Sequence, residues 1–208
     1  MKLLIMKKEI DFDASEVLYN APETPENFEK YWQVKSADWS GKDGYFEGIN
    51  RENAPGMIVS KEDYFGDIMI SFTAKTVLPS DHDIDVMWNG SWDEEKDQRG
   101  VAYVTGLEGW WEGKVGFERS PEYVLNAGTP LFDFEPGKEY HMIAGSIQGH
   151  VFIFVDGKLI LEITDPNPID SSKYGKVGFE AYCSHIQVKN IEVRRIAWKA
   201  RELSYPAF

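Results

Sequence analysis

The chain has 208 residues and sets 35 Asp and Glu against 22 Lys and Arg, a formal charge of −13. No basic patch answers the demand of phosphates, which excludes nucleic acid as a partner and anionic membrane surfaces with it. The single Cys183 excludes an intramolecular disulfide, and no apolar run approaches a membrane span.

In chain order, residues 1–9 carry an apolar run too short for a secretory signal and followed by charge, so a cytoplasmic protein is expected. Residues 1–23 read as an entry arm. A short helix is expected at 24–31, with Thr24 as N-cap and Pro25 at the first helical position. Strand signals then dominate: 67–76, 83–88, 101–107, 114–117, 140–147, 151–155, 159–164, 176–182 and 186–193 are rich in Val, Ile, Phe and Tyr and punctuated by Gly, Pro, Asn and Asp. Asp156-Gly157 has the chemistry of a type I′ hairpin turn, and Gln148-Gly149 marks a second tight turn, so 142–164 forms a three-stranded meander. Asp43-Gly44 joins two further short strands. Many strands and almost no helix predict an all-β antiparallel two-sheet sandwich with at most one or two short helices. We read one domain over 1–208, closed by a tail at 199–208.

The most informative stretch is Asp81-His82-Asp83-Ile84-Asp85-Val86-Met87-Trp88. On a regular strand Asp81, Asp83 and Asp85 share one face while Ile84, Val86 and Trp88 take the other. Three repelling carboxylates serve no packing purpose, which points to a site. Asp81 and Asp83 offer the hard oxygen ligands that Ca²⁺ takes, and alternate strand positions about 6–7 Å apart allow two of them to reach one ion. Asp83 is expected to have Arg99 or Arg51 as an ion-pair partner, and Arg99 is also a candidate donor to ligand. At the far end His185, Gln187, Glu180 and Tyr182 line polar strand faces suited to sugar hydroxyls or proton transfer. Trp110 and Trp111 are adjacent and cannot both face one core, so one is expected to stack on a pyranose, with Trp88 and Trp92 as the opposite wall. No nucleotide-binding glycine loop, zinc pattern or Gly-x-Ser-x-Gly occurs, so no cofactor is required.

Two framework segments carry a resemblance. Trp32 and Trp39 followed by Asp43-Gly44-Tyr45-Phe46-Glu47-Gly48 resemble the opening strands of concanavalin A-like jelly-roll domains. Phe154-Val155-Asp156-Gly157-Lys158, Gly175-Lys176-Val177-Gly178-Phe179 and the strand from Ile186 to Val193 are similar to the closing strands, closest in flavour to bacterial 3-keto-disaccharide hydrolase-like domains. The likeness spans about Trp32 to Arg195 and implies two curved sheets with a carbohydrate-holding concave face. The acidic strand also resembles that of laminarinase- and lichenase-type glycoside hydrolases, whose pattern is Glu-x-Asp-x-(x)-Glu. Asp83 and Asp85 match its first two acids; Met87 or Trp88 stands where the third belongs, leaving the proton donor to Glu112 or Glu118. The expectation is a glycoside hydrolase or lyase-like enzyme acting on a small saccharide, with Asp83, Asp85, Glu112 and His185 as catalytic candidates. A noncatalytic, lectin-like saccharide-binding module using Ca²⁺ is the alternative, and a homo-oligomer is compatible with either.

Overall fold

A computed structural model describes residues 1–110 and 113–202. The chain opens with β1 (Lys2–Ile5), β2 (Lys8–Asn20), the single helix α1 (Pro25–Tyr31), β3 (Trp32–Val34), β4 (Asp38–Lys42), β5 (Tyr45–Ile49), β6 (Gly56–Ser60) and β7 (Ile68–Thr76). The acidic strand β8 (Ile84–Gly90) follows, then a two-stranded ribbon of β9 (Trp92–Asp93) and β10 (Gln98–Arg99), β11 (Ala102–Trp110), β12 (Lys114–Ser120) and β13 (Ala127–Thr129). The meander of β14 (Tyr140–Ile147), β15 (His150–Val155) and β16 (Lys158–Thr164) leads to β17 (Lys176–Ala181) and the long β18 (His185–Ala200). All strand pairs are antiparallel.

Local chemistry explains the punctuation. Thr24 Oγ1 accepts from Asn27 N at 3.2 Å and so caps α1, with Pro25 just inside. The pairs Asp43-Gly44, Gln148-Gly149 and Asp156-Gly157 all hold positive φ at both residues, the backbone of type I′ turns.

Two sheets face each other. The nine-stranded sheet runs β1-β2-β18-β7-β14-β15-β16, with β5 pairing β18 and β4 pairing β5; the seven-stranded sheet runs β13-β12-β11-β8-β17-β6-β3. Between them Trp88, Phe117, Phe179, Ile58 and Tyr103 interleave with Phe72, Ile70, Ala144, Ile153 and Val188. Trp88 Nε1 donates to Ser146 Oγ of the opposite sheet at 3.0 Å, so the largest buried side chain satisfies its one polar atom across the core. This is the two-sheet all-β sandwich that the turn and strand signals predict.

The N-terminal segment differs from expectation. Residues 1–23 are not an arm: β1 and β2 form a hairpin joined along β18. The nine-stranded sheet coils until its edges meet, where Met6 N donates to Glu162 at 3.0 Å and Lys8 Nζ reaches His150 Nδ1 at 3.2 Å. The roll encloses a second core of Leu3, Ile5, Ile10, Met69, Ile143, Phe152 and Phe154. The expected tail at 199–208 begins inside β18, which continues to Ala200; residues 203–208 lie outside the described part of the chain.

Candidate functional site

The site lies on the face of the seven-stranded sheet that turns away from the sandwich core. Strand alternation and register decide its composition. In one row across the sheet, Gly106 of β11, Asp85 of β8, Glu180 of β17 and Met57 of β6 stand opposite one another. In the next row Glu118 of β12, Val104, Met87, Gly178 and Val59 do the same. Acids therefore rise from an apolar floor of Met57, Val59, Met87, Ala102 and Val104. The open side is a cleft of about 430 Å³, within the range of small-molecule sites, walled by Trp110, Tyr123 and Tyr182.

Asp83 and Asp85 meet at the bottom of this cleft. Each is 5% exposed, and Oδ1 of each is buried with no donor from any other described residue. A Cβ placed on Gly109 would stand 2.5 Å from Asp83 Oδ1 and 3.2 Å from Asp85 Oδ1, so the two oxygens converge on one bare backbone position. Burial pushes Asp83 up to about 7, with the Glu180 charge adding to it, while a hydrogen bond from Asp85 pulls the other way. Burial raises Asp85 well above the carboxylate range, and the neighbouring Asp83 charge raises it further. The proton therefore sits on Asp85 and is shared with Asp83, a carboxyl–carboxylate pair in which like charges cannot both ionise.

Arg99 crosses the same face from β10. Its guanidinium donates from Nη1 to Glu180, from Nη2 to Glu118, and from Nε to Ser120 Oγ at 3.1 Å. Burial works against the guanidinium charge, but Glu180 and Glu118 outweigh it. Glu118 also accepts from Trp110 Nε1 at 3.3 Å; burial raises its carboxyl, and Arg99 opposes that rise. Glu180 keeps its second oxygen free of any such bond among the described residues. Four carboxyls and one guanidinium thus face a single hollow.

Several sequence-based expectations need correction. The three aspartates do not share a face: Asp83 holds φ +68, outside the strand, and breaks the alternation before β8 begins at Ile84. Asp81 is consequently turned out to solvent, where it pairs with His82 Nδ1 at 2.7 Å. No third ligand joins the expected Asp81–Asp83 pair: among the described residues no three His, Cys, Asp or Glu side chains are arranged to hold a metal ion. Trp88 is no wall of the cleft, because its parity with Ile84 and Val86 sends it into the core. His185 and Gln187 belong to the other sheet, through β18, where both bind Glu47, at 2.9 and 3.0 Å. Arg99 pairs with the two glutamates and not with Asp83.

Other expectations meet at the cleft: Asp83, Asp85, Arg99, Trp110, Glu180 and Tyr182 all line it. Trp92 packs at the margin of the apolar floor, under Lys35 Nζ at 5.2 Å and bonded to Asp97 at 3.2 Å. Trp111 and Glu112 lie outside the described residues. Glu118, only a substitute acid in the sequence, is central to the site. Tyr123 was not foreseen; its signal was its place in the turn after β12, within reach of the acids it follows.

No protein-family model and no curated protein sequence matches the chain. Solved structures do match in fold. A galectin-like protein of unknown function from Bacillus subtilis superposes with a TM-score of 0.68 at 14% identity, covering 87% of this chain and 96% of that one. The carbohydrate-binding module CBM66 from Bacillus subtilis gives 0.62 at 13% identity over 78% and 94%. A Bacillus licheniformis β-glucanase gives 0.58 at 13% identity over 85% and 97%. The chain shares the two-sheet jelly-roll fold of these structures, the fold that its opening and closing strands resemble.

Proposed function

We propose that the protein is a glycoside hydrolase-like enzyme that takes a small saccharide into the concave cleft. One observation carries this reading: a buried, counter-ion-free Asp83–Asp85 pair opens onto a hollow walled by Trp110, Tyr123 and Tyr182. Burying unpaired acids costs stability, and strained or costly polar groups gather where chemistry is done. An indole and two phenols suit the apolar faces of sugar rings, and carboxylates suit their hydroxyls. The fold neighbours support a carbohydrate ligand, since they include a carbohydrate-binding module and a β-glucanase.

In this reading Asp83 is the general acid. Held near 7, it draws on the proton it shares with Asp85 and passes it to the glycosidic oxygen as the C–O bond breaks. The cationic ring that remains is stabilised by Glu118 and Glu180. Water adds to the anomeric carbon and yields its proton to the free oxygen of Glu180, leaving a hemiacetal and an alcohol; that proton then returns through solvent to the Asp83–Asp85 pair and resets it. Met87 occupies the position of the missing third acid, and the second carboxylate comes from β17 instead. The acidic lining, with Arg99 as its one described guanidinium already engaged, disfavours lyase chemistry on uronates, which needs positive charge around a substrate carboxylate.

A noncatalytic saccharide-binding module is the second reading, favoured by the way Arg99 ties up both glutamates. Disaccharides and aryl glycosides of both anomers, assayed for product and by calorimetry, separate the two. The enzyme reading expects reducing sugar from the wild type and roughly a hundredfold less or lower still from Asp83→Asn. Binding without product from the wild type overturns it in favour of the module.

A further inference from the structure

The cleft does not end at Asp83. A second hollow of about 540 Å³ adjoins it, and Asp83, Gly109 and Tyr182 are walls of both. Asp83 thus stands at the junction of two chambers, each large enough for a sugar ring. Asp83 Oδ1 lies buried against Gly109, itself a wall of both hollows, and has no hydrogen-bond partner among the described residues.

The two chambers differ in chemistry. The first has an indole and an apolar floor. The second is bordered by Asp81, His82, Asp83 and Glu108, with Asn53 and Tyr182 as neutral polar partners, and no Lys or Arg is among its described lining residues. Glu108 is brought there by the bulge in β11, where the register shifts between Gly106 and Trp110, and by a left-handed backbone at φ +59. Bulges re-aim side chains, and a non-glycine residue in this left-handed region is strained, so the surrounding fold must enforce it. Among the described residues no ion pair or hydrogen bond occupies the Glu108 carboxylate. Burial and the nearby Asp81 charge raise its pKa, against the opposing pull of His82.

We propose that the joined groove takes a saccharide of at least two rings, with its linkage at Asp83 and, in the second hollow, a ring bearing a protonated amine that pairs with Glu108. This rests on the reading of the first cleft as a saccharide site. A bare metal ion fits less well, because no three ligands are arranged around a point and the space is that of a ring. An amine on a pyranose supplies the missing charge, and its hydroxyls suit Asn53 and Tyr182.

The test compares two disaccharides that differ only in amine against hydroxyl, the β-1,4 disaccharide of glucosamine and cellobiose. Both are titrated into the full chain by calorimetry at about pH 6, below the range where such amines lose their proton, with EDTA present. The expected result is about tenfold tighter binding of the amino sugar, a difference of about 1.4 kcal/mol, which shrinks at high salt. In Glu108→Gln the ratio between the two ligands collapses towards one. Equal binding of both disaccharides by the wild type overturns the amine site while leaving the saccharide reading intact. A preference that survives unchanged in Glu108→Gln overturns the assignment to Glu108. A preference that appears only when Ca²⁺ replaces EDTA overturns the amine in favour of a metal. Failure of both ligands to bind overturns this inference and the saccharide reading together.

Discussion

The carboxyl of Asp85 lies over the bare α-carbon of Gly106, its partner across the β8–β11 ladder. A methyl group there would collide with the Asp85 carboxyl and with the backbone carbonyl of Ile84. Neither can retreat, since Asp85 is wedged against Asp83 and Ile84 is held in the sheet. Gly106→Ala should therefore destabilise the protein by about 1–3 kcal/mol, the usual cost of overpacking a filled site. Urea unfolding measures it. A stability equal to wild type would mean that the acid pair has room to move and is not held in place.

Stability should fall as pH rises, the reverse of ordinary acid unfolding. Asp83 and Asp85 both have folded-state pKa values above the unfolded value of 3.8, so the folded chain holds more protons than the unfolded one between about pH 4 and 7. Their contribution is complete below the unfolded pKa and lost as pH climbs through the folded one. For Asp83, moved from 3.8 to about 7, the loss is on the order of 4 kcal/mol. Thermal melts from about pH 5 to 8 should show Tm falling in the wild type. The slope should flatten in Asp85→Asn, whose amide still donates to Asp83 but no longer resists ionisation. An undiminished slope in that variant would remove the acid pair as its cause.

Catalysis should follow the protonated form of Asp83. On a confirmed substrate kcat/KM should drop as pH rises through about 7. Asp83→Asn should lower the rate by roughly 10²–10⁴-fold, the range supplied by a positioned acid, without lowering Tm at neutral pH. A profile with no basic limb would place the acid elsewhere.

Arg99 is the electrostatic keystone of the concave face. Removing its guanidinium leaves Glu118 and Glu180 buried side by side without compensation. Arg99→Met should cost about 3–5 kcal/mol, as breaking a buried pair from one side does. Restoring neutrality with Glu118→Gln in the same chain should recover part of that loss. An additive double variant, with no recovery, would show the three groups to be uncoupled.

Much of this architecture is written in short-range chemistry. Thr24-Pro25 starts the helix, and Gln148-Gly149 and Asp156-Gly157 turn the meander, because caps and I′ turns depend on residues next to each other. Alternation alone sends Trp88 to the core once Asp85 faces out, and Asp83 and Asp85 stand out as acids with no packing role. What neighbouring residues cannot encode is which distant strands lie side by side. Arg99 reaches Glu118 and Glu180 only because the β9–β10 ribbon folds back over β12 and β17, and His185 is carried off because β18 joins the opposite sheet. One dihedral, φ +68 at Asp83, separates Asp81 from its expected companions, and it is enforced by tertiary packing. The sequence by itself thus determined the all-β class, the turns and the acidic strand. Sheet order and register decided the site, since hydrogen bonds between strands far apart in the chain choose which carboxylates meet.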